Sequence, residues 1–192
     1  MISGDRNSKY FHTRALQRFR RNRIVEHRNP EGVLVTGKRD LSVMVWDYYK
    51  NLFLSSRPTE VDEVVSSIKT VVTDDMNNCL ISPFSQEEIE CALNQMAPLK
   101  APGPDGMPPI FFQKFWSVID DDVAHAMLSC LNSGSLIPGL NHTFISLIPK
   151  VKNLEHITEL RPIALCNILY KLVSKVLANR LKKVLPHIIF ES

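Results

Sequence analysis

Residues 97–109 hold five of the chain's twelve prolines and two of its seven glycines. No helix or ladder strand runs through such a stretch, because proline lacks an amide donor and its ring collides with the preceding turn. The chain must form an ordered loop here, and the elements on either side must meet around it. Within the loop, Pro102-Gly103-Pro104-Asp105-Gly106 combines stiff prolines with glycines that permit positive φ or close backbone approach. Asp105 is placed to accept from the amides that follow it and hold the turn. Composition alone reads the segment as a tight connector between two helices. It is not a Walker-type phosphate loop, since the terminal glycine-lysine-hydroxyl triplet is absent.

Both flanks carry helical signals. Ser85-Gln86-Glu87-Glu88 is a capping box, and Phe84 and Ile89 are spaced as a hydrophobic staple. Ile89, Ala92, Leu93 and Met96 then recur on one face, so a helix is expected that ends before Pro98. Past the loop, the pattern predicts one long amphipathic helix. Phe112, Phe115, Trp116, Ile119, Val123, Ala126, Met127 and Cys130 face inward, and Asn132-Ser133-Gly134 terminates it. Phe144–Ile148 reads as a strand and Leu160–Leu165 as its partner, with Pro162 at an edge or strand start. A last helix is expected from about 167 to 185, ending before Pro186. Its apolar stripe is Leu169, Leu172, Val173, Val176, Leu177 and Val184, with Lys171, Lys175 and Lys182 opposite. Arg180 falls on the apolar side. Either it snorkels or it pairs with something this stretch lacks.

The first part of the chain is patterned more loosely. Residues 6–20 read as a helix with Tyr10, Phe11, Ala15, Leu16 and Phe19 as an apolar stripe; Arg14, Arg18 and Arg21 share another face. Ile24–His27 and Val33–Val35 flank Asn29-Pro30-Glu31-Gly32, whose proline second and glycine fourth suit a type I turn, so a small hairpin is expected. A second helix is expected over 39–54. Residues 55–83 read as a connector with one short helix near 60–71. The fold class is α+β, mostly helical.

Charge is uneven. Residues 1–28 carry eight Arg or Lys against Asp5 and Glu26, while the remaining 164 carry fifteen against eighteen. A basic arm on a slightly acidic body calls for an anionic partner. Arginines interleaved with Tyr10, Phe11 and Phe19 suit nucleic acid, cations on phosphate and rings on bases; a solvated helix with its aromatics packed inward fits equally. No apolar run approaches the roughly 20 residues that span a bilayer, and the polar N-terminus is no secretory signal. A cytoplasmic or nuclear protein is expected, not a secreted one, so the Asn141-His142-Thr143 sequon should stay unmodified. Cys79, Cys91, Cys130 and Cys166 form no C-x-x-C pair and are expected to be buried thiols. The histidines show no metal-ligand spacing.

Two further blocks carry cations at strand ends. Lys150 follows the strand in Leu147-Ile148-Pro149-Lys150, and Arg161 opens the returning strand in Leu160-Arg161-Pro162-Ile163-Ala164-Leu165. Arginine forks onto phosphate oxygens and lysine acts as a point charge, so the two suit a triphosphate or a nucleic-acid backbone. Taken alone, two cations near strand ends are more often plain solvated surface residues.

The order of these blocks resembles the opening of reverse transcriptases from non-LTR (LINE-type) retrotransposons, particularly plant elements. Lys100–Gly106, with Met107-Pro108 and the Phe111–Trp116 segment, resembles the first block; Ile145–Lys150 the second; Arg161–Leu165 the third. Tyr170-Lys171 and Ala178-Asn179-Arg180-Leu181 resemble the helix that follows. Gly4–His12 resembles the segment between endonuclease and polymerase in such polyproteins. The resemblance implies a partial right-hand polymerase, with residues 1–84 a basic helical linker and 85–192 the fingers and early palm. Lys150 and Arg161 would then contact the phosphates of the incoming nucleotide or nearby template, stabilising charge in nucleotidyl transfer. Pro102–Gly106 would be a structural loop. The arm, with Arg14, Arg18 and Arg21, and the helical linker would help hold the RNA template or an RNA/DNA hybrid; Lys171 and Lys175 are further nucleic-acid candidates, on a stripe that more often is simply solvated.

The parent enzyme would use Mg²⁺ held by palm aspartates. These are absent from this stretch, which is expected to be a fragment with no catalytic residue and no cofactor of its own, its further partners the missing palm, thumb or endonuclease regions. Asp120-Asp121-Asp122 is no substitute, because adjacent helical side chains splay apart. Three functions remain open: a polymerase fragment that does not polymerise alone, a non-catalytic nucleic-acid-binding module, and a degenerate remnant.

Overall fold

The structure, a computed structural model, describes residues 9–22, 26–29, 32–67, 69–151 and 154–189. Its contacts gather into two compact units, Met1–Pro58 with Ser146–Ile163, and Thr59–Ile145 with Ala164–Ser192. These units follow contacts rather than the motif boundary at 84/85, so residues 146–163 group with the N-terminal segment.

The first unit opens with α1 (Lys9–Asn22). Strands β1 (Glu26–Arg28) and β2 (Leu34–Thr36) then pair antiparallel, Glu26 opposite Thr36 and Arg28 opposite Leu34. The expected turn joins them: the Gly32 amide donates to the Asn29 carbonyl at 2.9 Å, and the Val33 amide to Asn29 Oδ1 at 2.7 Å. Gly32 sits at φ 80°, where a side chain would be strained. Pro30 and Glu31 lie outside the described residues. Helix α2 (Lys38–Leu52) follows. Tyr49 is buried with Ile157 and Leu160, and half-buried Met44, Val45, Tyr48, Leu147 and Leu154 pack on them. The Tyr49 hydroxyl donates to the Leu160 carbonyl at 3.4 Å, and burial raises its pKa.

His27 lies in β1 and is 1% exposed, yet neither ring nitrogen meets a hydrogen-bond partner among the described residues. A buried polar group in that state is destabilising, and an apolar replacement of similar volume removes the penalty. His27→Leu is therefore expected to leave stability unchanged or raise it by up to about 2 kcal/mol, read by thermal melting. A clear loss would show that the imidazole has a partner.

The second unit is helical: α3 (Val61–Ser66), α4 (Asp74–Ile81), α5 (Gln86–Asn94), α6 (Pro109–Lys114), α7 (Trp116–Ser133) and α8 (Ile168–Ile188). Its core is Ile89, Ala92 and Leu93 from α5, Phe112 from α6, Val123, Met127 and Cys130 from α7, and Ile168, Leu172 and Val176 from α8. The staple forms as the sequence suggests, with Phe84 packed against the cluster that buries Ile89. Gly134 caps α7 at φ 68° in the left-handed region. Gly134→Ala should cost about 1 kcal/mol, seen as a lower melting temperature.

Strands β3 (Thr143–Pro149) and β4 (Leu160–Cys166) form a second two-stranded antiparallel sheet. A short 3₁₀ turn over Ile157–Glu159 leads into β4.

Four expectations need correction. The long helix after the proline loop is two, broken at Phe115, which adopts φ −104°, ψ 13° and is 51% exposed rather than inward-facing. The last helix does not stop before Pro186 but runs through it to Ile188. Pro186 and Lys182, whose carbonyl loses its amide donor, both lie on the exposed side, where solvent can take the bond. Helix α4 falls in the supposed connector. Of the four thiols only Cys130 is buried; Cys79 and Cys91 are exposed and Cys166 is half-buried.

Candidate nucleic-acid interface

In the first unit, Lys150 follows β3 directly and Arg161 is the second residue of β4. The Lys150 amide donates to the Glu159 carbonyl at 2.8 Å, which closes the ribbon between them. Both side chains are exposed. The Lys150 ammonium donates to the Thr158 carbonyl at 2.6 Å, so one of its three donors is committed to the turn. The turn is itself braced by Glu159, whose Oε2 accepts from the amides of Glu155 at 2.8 Å and His156 at 3.1 Å. Those two backbone bonds hold the Glu159 carboxyl below its ordinary pKa.

On α1, Arg14 and Arg20 are exposed, and so are Leu16 and Phe19, the latter at 71%. The side chains of Tyr10, Phe11, Arg18 and Arg21 lie outside the described residues. The apolar stripe of the sequence is thus not packed inward at the three positions that are described, Ala15, Leu16 and Phe19.

In the second unit, the proline loop is docked on the first turn of α8. A Cβ on Gly103 would lie 2.3 Å from the Asn167 amide nitrogen and 2.5 Å from the Cys166 carbonyl carbon. The Asp105 amide donates to Asn167 Oδ1 at 3.3 Å, and Asp105 Oδ1 accepts from the Met107 amide at 3.1 Å. Gly106 closes the turn by donating to the Gly103 carbonyl at 3.1 Å, at φ 72°. Lys171, one turn into α8, donates to the Ala101 carbonyl at 2.8 Å. Burial lowers its pKa, and the nearby Lys100 charge adds to that. Lys171 therefore fastens the loop to the helix, while Lys175, the next candidate along, makes no such bond.

Arg180 answers the puzzle of its own position. It is 5% exposed and spends all five guanidinium donors inside the unit. Nε and Nη2 fork onto Glu88 at 2.8 and 2.7 Å. Nη1 donates to the carbonyls of Leu80, at 3.0 Å, and Ser82; Nη2 donates to Pro83 O at 2.9 Å. The guanidinium also lies 3.5 Å from the centre of the Phe84 ring. Glu88 is shared, since its Oε2 also accepts from the Ser85 amide at 3.1 Å as the reaching half of the capping box. Arg180 thereby lowers the Glu88 pKa and raises its own. The partner lies 92 residues away. The signal that could have found it was the capping-box glutamate, a fixed carboxylate beside a helix start. Gln113 does comparable work nearby, donating to the carbonyls of Leu93 at 3.0 Å and Met96 at 2.9 Å at the end of α5.

The three consecutive aspartates on α7 do not suit magnesium. Successive helical side chains point about 100° apart, and among the described residues no three His, Cys, Asp or Glu side chains gather.

Over 187 residues the chain is 28% identical to a Xenopus laevis protein, "Transposon TX1 uncharacterized 149 kDa protein". The chain is similar to a transposon protein. The match takes in 96% of this chain but spans only 14% of that protein's length. No family model matches the chain. No helix among the described residues is long and apolar enough to cross a membrane.

Proposed function

We propose that this chain is a transposon-derived stretch of an RNA-directed DNA polymerase, a LINE-type reverse transcriptase: a basic helical linker followed by fingers and the start of the palm. The observation that carries the reading is the similarity to the transposon protein across nearly all of this chain, over a sequence whose motif blocks keep the order of that enzyme class. The β3–β4 ribbon supports it by bringing Lys150 and Arg161 to neighbouring strand ends, exposed to solvent. Their role is to hold phosphates, of nucleotide or of template, against repulsion. The polymerase would need magnesium and palm carboxylates from elsewhere; among the described residues no three His, Cys, Asp or Glu side chains gather.

Two outcomes test the reading. The purified chain, given a primed RNA, deoxynucleotides and magnesium, should extend no primer above background. It should nonetheless bind single-stranded RNA, with an affinity that falls as salt rises. Lys150→Ala with Arg161→Ala removes two phosphate contacts and should flatten the log–log salt slope by about 1.4. An unchanged slope would remove these two residues from the site.

A second reading, a non-catalytic nucleic-acid-binding module, is favoured by one observation. The described apolar residues of the α1 stripe, Ala15, Leu16 and Phe19, lie exposed rather than packed inward. Loss of RNA affinity on replacing Arg14, Arg18 and Arg21 with alanine, and not on replacing Lys150 and Arg161, would support it.

A further inference from the structure

We infer that the cleft between α5 and α8 in the second unit is a binding track for a nucleic-acid phosphate backbone, read without regard to base sequence. The inference rests on the nucleic-acid reading above and names a place for it outside both the arm and the β3–β4 ribbon.

The cleft has a volume of about 490 Å³. Its α8 wall presents Lys175, Asn179, Lys182 and Lys183. These offsets of four, seven and eight keep them on one side of the helix. No hydrogen bond or ion pair to the described residues ties up the ammonium groups of the three lysines, unlike that of Lys171 on the turn before.

The floor is already neutral. Arg180 and Glu88 lie in the lining but are consumed by each other, with every guanidinium donor spent. That leaves three lysines against a single wall carboxylate, Glu87. A cleft of this sign concentrates anions.

The spacing selects a polymer. Lys175 to Lys183 covers about 12 Å of helix, farther than one phosphate or carboxylate group reaches. A chain of regularly spaced charges can meet all three. The lining also selects between polymers. Eight of its ten residues are charged or carry an amide, and Lys and Glu, which make up five of them, are the types depleted where proteins meet proteins. Lysine point charges suit the phosphates of a backbone, and the one guanidinium in the wall, that of Arg180, is spent within the unit and cannot fork onto a base.

The cleft holds its own reporter. Cys91 lines it and is exposed, accepting a weak bond from Gln95 Nε2 at 3.3 Å. Cys79 is exposed too but lies outside the lining, which makes it an internal control.

The test uses the whole chain and a fluorescent single-stranded RNA of about twenty mixed nucleotides. Binding is titrated across salt for the parent, for K175Q/K182Q/K183Q, and for R14A/R18A/R21A, each first shown to melt cooperatively. Losing three contacts should weaken binding about tenfold to a hundredfold near 0.1 M salt and flatten the salt slope by about two. Bound RNA should slow alkylation of Cys91 and leave Cys79 unchanged. If the lysine variant misfolds, the Cys91 footprint on the parent decides alone. Unchanged affinity and slope, or loss of affinity without protection of Cys91, overturns the track. If the arm variant alone loses RNA, the broader nucleic-acid reading survives and the track does not. A parent chain that binds no RNA sinks both. Polyglutamate that protects Cys91 as well as RNA does would assign the cleft to an acidic protein and overturn the inference.

Discussion

Arg180→Leu is expected to destabilise the helical unit by about 3–5 kcal/mol, toward the lower end of that range. The substitution leaves Glu88 without its countercharge and frees the carbonyls of Leu80, Ser82 and Pro83, which close α4 and lead into α5. The Glu88 side chain keeps 30% exposure, so water recovers part of the loss. Arg180→Lys should rescue little, because an ammonium cannot supply the planar fork that meets Glu88 and three carbonyls together. Glu88→Gln in the same background should add less than its own single effect, since the pair acts as one unit. Denaturant melts of the four proteins measure this coupling; additive effects would mean that the clamp contributes nothing as a pair.

The same pair makes stability depend on acid. Hydrogen bonds from Arg180 hold the Glu88 pKa below its ordinary 4.5 in the folded state. An unfolded chain therefore binds the Glu88 proton first, and the contribution is fully present above about 4.5. It is lost as pH falls from there through the lowered native value. In Glu88→Gln this part of the acid sensitivity should vanish, visible as a flatter plot of stability against pH below 4.5.

Gly103→Ala is expected to cost about 2–3 kcal/mol, with larger side chains worse. The added carbon would lie 2.3 Å from the Asn167 amide nitrogen, and that obstacle is backbone, which cannot rotate away. Either the loop lifts from α8 or the start of α8 moves. Both break the Asp105–Asn167 bond and loosen the Lys171 bond to Ala101. Hydrogen exchange should then speed up in the loop and in the first turn of α8 before the rest of the unit responds. Gly106→Ala makes a useful contrast, since nothing lies within 4 Å of its Cβ and only its positive φ resists. Its cost should be about 1 kcal/mol with the docking intact.

Three element boundaries follow from local signals. Ser85–Glu88 started α5, Gly134 ended α7, and the Asn29–Gly32 turn joined β1 to β2, because each depends on groups within four residues of one another. The start of α4 is equally local, yet apolar periodicity does not show it. Thr73 accepts from the Met76 amide at 3.3 Å, and Asp74 and Asp75 fill the first turn, but no strong apolar stripe follows to mark the helix. Phe115 and Pro186 misled for the opposite reason. Helical periodicity does not register a break that keeps phase, and a proline rule assumes a carbonyl with nowhere else to turn.

The residues alone name the pieces: a capped start for α5, a glycine end for α7, two pairs of strands and a loop that cannot be helical. How the charged groups are shared out follows from the fold. Arg180 looked misplaced until Glu88 and three carbonyls surrounded it, and Lys171 looked like its neighbours until the loop claimed its ammonium. Periodicity records which side of a helix is apolar. A guanidinium or ammonium is satisfied by whatever oxygens the folded chain brings within about 3 Å, and those come from residues far away in sequence.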